Sequence, residues 1–121
     1  MQERGWGRVI AITSSTVREP SPVLIPSTTA RAGLTGFLKT MATEVAPDGV
    51  TVNSIQPGPH ATDRLAEIYD DLEAVAASVP VRRLGDPDDF GRVVAFLCSE
   101  SARSITGAAL PVEGGSLRAI Q

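Results

Sequence analysis

Three side chains in the first quarter of the chain have the types and spacing to do chemistry together. Ser14 follows the run Val9-Ile10-Ala11-Ile12-Thr13, Ser27 lies thirteen residues further on, and Arg31 follows four residues after that. Two hydroxyls and a cation could together orient a polar group and exchange a proton with it. Two of the residue types fit poorly. An aliphatic hydroxyl is a far weaker acid than a phenol, whose unperturbed pKa is about 10, and general acid–base catalysis works best with a pKa near the working pH. Elsewhere the chain has one histidine, His60, and one tyrosine, Tyr69. An imidazole titrates in the range that suits proton transfer, yet a lone histidine in a loop is more often only a loop residue. Tyr69 reads as a core or surface residue. Thr28 and Thr29 read as helix-start hydroxyls that satisfy free backbone N–H groups.

These side chains must be held by regular elements. Arg8 to Thr13 contains a short continuous apolar run, the signature of a strand covered on both faces in a parallel sheet. Residues 16–26 hold three prolines and read as a loop. Leu34, Phe37, Leu38, Met41 and Val45 recur at helical spacing and predict a helix over Thr28 to Ala46, stopped by Pro47-Asp48-Gly49. Val50 to Ile55 predicts a second strand, closed by Pro57-Gly58. Asp63 to about Ser78 reads as one helix with Leu65, Ile68, Leu72 and Val75 on its apolar stripe and Glu67, Asp70, Asp71 and Glu73 on a solvated face. Asp86-Pro87-Asp88-Asp89 is a strong helix start, with a capping Asp, Pro at the first helical position and carboxylates in the first turn. Phe90, Val93, Val94 and Leu97 continue it as an apolar stripe. Ala108 to Val112 predicts a third strand.

Strand, helix, strand in one sheet implies a right-handed crossover, so the chain reads as one α/β unit with three parallel strands. Three strands make a thin parallel sheet. Val9–Ile12 looks apolar enough to be central, and with nothing beside it would present an unprotected edge. On these grounds the chain reads as part of a larger sheet or as an obligate partner of another chain.

A chain of 121 residues with 42% hydrophobic and 21% charged residues has the composition of a folded domain rather than of a disordered segment. Its net charge is −3 and its basic residues are scattered, which disfavours nucleic-acid binding. The apolar runs fall short of the roughly 20 residues that span a bilayer, and the N-terminus lacks an apolar signal core. A single cysteine, Cys98, permits no internal disulfide and no cysteine metal cluster. Its setting, Phe96-Leu97-Cys98, predicts a buried structural thiol. A reducing cytoplasm is the expected location.

Taken in order, these segments resemble the C-terminal half of a short-chain dehydrogenase/reductase of the 3-oxoacyl-acyl-carrier-protein reductase type. Gly7-Arg8-Val9-Ile10-Ala11-Ile12-Thr13-Ser14-Ser15 looks like the strand that delivers that family's active-site serine. Gly49-Val50-Thr51-Val52-Asn53-Ser54-Ile55, followed by Pro57-Gly58-Pro59-His60-Ala61-Thr62-Asp63, looks like the strand and loop that hold the nicotinamide. Arg83-Leu84-Gly85-Asp86-Pro87 resembles the start of the last large helix, and Ile105-Thr106-Gly107 with Val112-Glu113-Gly114-Gly115 the closing segment. Each match is weak alone; together, in order, they are specific.

The resemblance implies the C-terminal half of a Rossmann-like doubly wound parallel sheet. It also implies NAD or NADP as cofactor and a small carbonyl or alcohol as substrate. Ser14, Ser27 and Arg31 fall at the catalytic positions. Arg31, Pro57, Gly58 and Thr62 fall at cofactor-contacting positions, with Thr62 also suited to cap the next helix. Pairing into a dimer or tetramer is implied through helix 28–46 and segment 108–115. No nucleic-acid or membrane partner is implied.

The chain departs from the family in two ways. Ser27 stands where the family's tyrosine donates the proton, and Arg31 stands where its lysine binds the ribose. Arg31 keeps a positive field and hydrogen-bond donors, but as a planar fork rather than a compact ammonium. Divergent members carry a similar Ser-x-Thr-x-Arg segment. The glycine-rich strand–turn–helix that cradles a pyrophosphate is absent from these 121 residues, and Gly5-Trp6-Gly7 precedes a strand instead of following one. The expectation is therefore a truncated chain with Met1 internal to a longer frame, and weak or absent cofactor binding by the chain alone. Two functions remain open: a divergent NAD(P)-dependent oxidoreductase, and a non-catalytic binding or oligomer-assembly module. A serine hydrolase is disfavoured, because no Gly-x-Ser-x-Gly turn occurs and His60 has no evident orienting acid.

Overall fold

The structure, a computed structural model, describes residues 1–120. The elements in chain order are β1 (Gly7–Ile12), α1 (Ile25–Val45), β2 (Val50–Pro57), α2 (Asp63–Ile68), α3 (Leu72–Ser78), α4 (Pro87–Cys98) and β3 (Ala109–Val112). The strands form one parallel sheet in the order β1-β2-β3. Gly7 pairs with Val50 and Ile12 with Ile55; Ser54 pairs with Ala109 and Pro57 with Val112.

Alternation along β2 sorts the core into two layers. Val50 and Val52 pack with Leu38, Ala42 and Val45 of α1, joined by Val9 and Ala11 of β1. On the other face Ile55 packs with Leu97 of α4 and Ala102, joined by Ile10, Phe90, Val93 and Val94. The α4 stripe read from the sequence is thus the one that meets the sheet. β2 also carries polar residues into the interior. Asn53 donates from Nδ2 to the Ile105 carbonyl at 2.8 Å and accepts at Oδ1 from the Ala108 N–H at 3.0 Å. The Val52 N–H donates to Thr106 Oγ1. These bonds draw the 105–108 segment alongside β2 and start β3.

Several expectations are corrected. Within the three strands described, β2 pairs on both sides and β1 on one. The apolar run of β1 reflects cover by α1 and α4 on its two faces, and its last residue, Ile12, is 50% exposed. Residues 16–26 are not all loop: two short 3-10 turns lead into α1, which begins at Ile25 with Pro26 in its first turn. Proline is tolerated there because its missing N–H is one that a helix leaves unpaired anyway. Thr28 and Thr29 therefore lie within the helix. Thr29 Oγ1 donates back to the Ile25 carbonyl at 2.9 Å, and Thr28 Oγ1 is buried without a partner.

The α1 stripe also divides. Leu38 and Val45 face the sheet, whereas Leu34 and Phe37 are exposed, Phe37 at 62%. The helix expected over 63–78 is two, α2 and α3, interrupted at Tyr69 and Asp70. Asp71 restarts it as an N-cap, its Oδ1 accepting from the Ala74 N–H at 2.9 Å. Cys98 is exposed, not buried. Its neighbour Leu97 fills the core and one helical step turns the thiol outward.

Asn53 satisfies two backbone groups at once, so Asn53→Ala leaves a buried carbonyl and a buried N–H unpaired. The expected cost is on the order of 2 kcal/mol or more, read as a lower urea midpoint at an unchanged m-value.

Candidate functional site

The candidate residues gather at the carboxyl end of the sheet. Beyond β1 the Thr13 N–H donates to the Ile55 carbonyl at 2.8 Å, and Thr13 Oγ1 donates to the same oxygen at 3.2 Å. This extends strand pairing one residue past Ile12 and sets Ser14 at the rim. Ser14 is extended, and its Oγ accepts from the Thr16 N–H at 3.2 Å and from Thr16 Oγ1 at 2.9 Å. Both acceptor positions of the hydroxyl are filled, so its own proton is free to donate.

Ser27 and Arg31 lie one turn apart near the start of α1. The Arg31 guanidinium donates from Nε to the Thr13 carbonyl at 3.2 Å and from Nη1 to both the hydroxyl and the carbonyl of Ser27. Arg31 thus clasps the end of β1 to the first turn of α1. Arg31 thereby joins Ser27 to Thr13, the residue that precedes Ser14.

The second group lies off the ends of β2 and β3. Pro57 closes β2, and the Gly58 N–H donates to the Val112 carbonyl at 3.0 Å. Gly58 has no room for a side chain, since a Cβ there would lie 2.6 Å from the Cβ of Glu113. Thr62 caps α2, its Oγ1 accepting from the Leu65 N–H at 3.3 Å. Pro57, Gly58, His60 and Thr62 line one open cleft of about 310 Å³, walled by Ile12, Leu65 and Phe90 among others. Ile12 belongs to this wall and Thr13 to the Arg31 clasp, so the two groups meet at the end of β1.

His60 is held rather than loose. Its Nδ1 lies 3.0 Å from the Gly58 carbonyl and its ring stands edge-on to Phe90 at 5.0 Å. The loop is stapled across to Gly85 by Ala61 N–H to Gly85 O and Gly85 N–H to Pro59 O, both 2.9 Å. A Cβ at Gly85 would lie 2.5 Å from the imidazole. Tyr69 is exposed, beyond the end of α2.

Sequence reasoning missed Thr13, Thr16 and Gly85. Thr16 carried a signal, a second hydroxyl two residues after Ser14, where a turn brings it back. Gly85 carried none, because only the fold sets it against His60.

A family model described as Enoyl-(Acyl carrier protein) reductase matches residues 1–116. The nodulation protein G of Azospirillum brasilense is 44% identical over 116 residues, covering 95% of this chain and 47% of its own length. The acetoacetyl-CoA reductase of Cupriavidus necator is 41% identical over 116 residues, again covering 95% and 47%. Among solved structures, an NADPH-dependent reductase involved in bacilysin biosynthesis superposes with a TM-score of 0.93 at 30% identity, covering 98% of this chain and 50% of that one. An actinorhodin polyketide ketoreductase with NADPH does so with a TM-score of 0.91 at 31% identity, with 98% and 50% covered. The chain spans about half the length of the curated relatives it matches.

Two substitutions test the local geometry. Thr62→Ala should destabilise α2 by about 1 kcal/mol, seen as faster exchange of the Leu65 amide with the rest of the protein unaffected. Gly85→Ala should push the imidazole out of its seat, read as a large shift of the His60 ring resonances and weaker Ala61–Gly85 pairing.

Proposed function

The chain belongs to the short-chain dehydrogenase/reductase family, and from that membership we propose that the protein carrying it transfers hydride between NAD or NADP and a small carbonyl or alcohol. The observation that carries this reading is the meeting of the two residue groups at the end of β1, with Thr13 held by Arg31 and Ile12 lining the cleft of Pro57, Gly58 and Thr62. The residues fit a flat, partly polar ring: the walls at Ile12, Pro57, Leu65 and Phe90 are apolar, the Thr62 hydroxyl lies at the edge, and Gly58 keeps the floor bare. When bound, the nicotinamide supplies or accepts the hydride.

The chain's own groups orient and polarise. Ser14, with its acceptor positions taken by Thr16, donates a hydrogen bond to a substrate carbonyl oxygen and polarises it without giving up its proton. Arg31 supplies a fixed positive charge beside it and a route to ribose hydroxyls. Ser27 is the weak element, since its oxygen is held by Arg31 and its hydroxyl is a poor acid.

A second reading rests on the same pair. Ser27 and Arg31 form a static clasp, which suits a protein that keeps the fold for assembly rather than turnover. In either reading α1, together with segment 108–115, pairs copies of the chain into a dimer or tetramer.

The full-length protein that carries this chain is purified and tested with NADH and NADPH against ketones, alcohols and, following its relative's name, acetoacetyl-CoA. Consumption of reduced cofactor, lost on Ser14→Ala, supports the oxidoreductase. Silence across the panel, with Ser27→Tyr plus Arg31→Lys raising turnover by on the order of 10²-fold, supports the non-catalytic reading. Phe37→Glu should lower the solution mass in sedimentation; an unchanged mass removes α1 from the assembly.

A further inference from the structure

On the α1 side of the sheet a separate groove of about 280 Å³ runs between α1 and the segment entering β3, lined by Arg18, Thr35, Lys39, Val52, Ser54 and Gly107 among others. One of its two cations is held in place by the fold. Arg18 donates from Nε to Gln56 Oε1 and from Nη2 to the Ala109 carbonyl, each at 2.6 Å. Gln56 is 1% exposed, and its Nε2 is buried without a hydrogen-bond partner. The guanidinium is therefore fixed by two neutral acceptors, one of them a core side chain, and nothing cancels its charge.

Across the groove the Lys39 ammonium occupies the space that Gly107 leaves open, 2.8 Å from where a Cβ would stand. Gly107 adopts φ +67°, a conformation glycine takes readily. Among the described residues neither cation has a carboxylate within ion-pair distance. The four ion pairs use Arg8, Arg64, Arg92 and Arg118. Glu19, next to Arg18 in sequence, turns instead to Arg118.

Two cations without an ion-pair partner facing one groove, with the Ser54 hydroxyl and an apolar floor at Val52 and Leu38, have the chemistry of an oxyanion site. We infer that this groove binds the carboxylate or phosphate group of a small molecule, with Arg18 and Lys39 as its two charged contacts and the apolar part of the ligand lying on Leu38 and Val52. The site is distinct from the cleft at the strand ends and independent of the redox reading. It shares two elements with that cleft, because Arg18 lies four residues after Ser14 and Thr35 Oγ1 donates to the Arg31 carbonyl at 2.8 Å. An anion here would hold the 14–18 turn against β3.

The test is a titration of the protein with inorganic phosphate and, separately, with succinate, at constant ionic strength made up with chloride. It is followed by the amide resonances of Arg18, Lys39 and Gly107 and by calorimetry. Saturable shifts confined to these residues, with affinity falling about tenfold or more in Lys39→Gln, support the site, and the tighter of the two anions identifies the headgroup. The Lys39 ammonium makes no hydrogen bond or ion pair among the described residues, so that variant keeps its structure; Arg18→Gln is the second variant, and circular dichroism checks the fold of both. No saturable shift with either anion, or unchanged affinity in Lys39→Gln, overturns the inference. So does a loss of self-association in the Lys39→Gln variant without any anion binding by the parent, which would assign the counter-charge to a second copy.

Discussion

Strand β2 is buried over seven of its eight residues, and the rest of the structure depends on how that burial is satisfied. A strand in the interior must pair its backbone groups on both edges, because an unpaired N–H or C=O away from water costs about as much as a lost hydrogen bond. β1 supplies one edge in register from Gly7 to Ile12. β3 supplies only four pairs on the other, from Ser54 to Pro57. The first half of that second edge is completed by other means: Asn53 binds the 105–108 segment on both sides, and the Thr106 hydroxyl takes the Val52 N–H. A polar side chain in the core thus stands in for missing strand, and it sets where β3 begins and where its carboxyl end must fall.

That placement decides the chemistry available. Because all three strands are parallel, their carboxyl ends lie together, and the loops that follow them carry Ser14, Gly58 and Glu113 into one region. Glycine at 58 follows from this crowding, since Glu113 leaves it no room for a Cβ. Thr13 links the halves of the region. It bonds to Ile55 of β2 with two groups and receives Arg31 from α1 with a third. Arginine at position 31 reaches the strand end and Ser27 simultaneously, which a single ammonium would satisfy less rigidly.

Much of this was legible in the residues themselves. The Asp86-Pro87 start of α4 carried its own cap and first-turn signal, and α4 begins there. The Phe90, Val93, Val94 and Leu97 stripe meets the sheet as spaced. The order of segments from Gly7 to Gly115 identified the family before any geometry. Less legible were features in which one local signal served two structural ends. The Val9–Ile12 run shows that both faces of β1 are covered, by α1 and α4, but cover on the faces does not specify which strands pair at its edges. The apolar residues of α1 lie on one stripe as spaced, but the sheet covers only part of it: Leu38 and Val45 are buried, while Leu34 and Phe37 on the same stripe stay exposed. The acidic stretch 70–73 read as a solvated surface, yet Asp71 is a cap and the helix breaks before it.

The sequence alone determined the elements, their parallel order and the identities of the groups at the strand ends, because helical and strand periodicity, caps and turn residues act over a few positions and are written locally. Only the tertiary structure decided that β2 is central, that Arg31 is tied to Thr13 and Ser27, that Gly85 makes way for His60, and that Arg18 and Lys39 face one groove without a counter-ion. Each of these joins residues from separate elements, and the packing of those elements, rather than any spacing along the chain, sets which side chains meet.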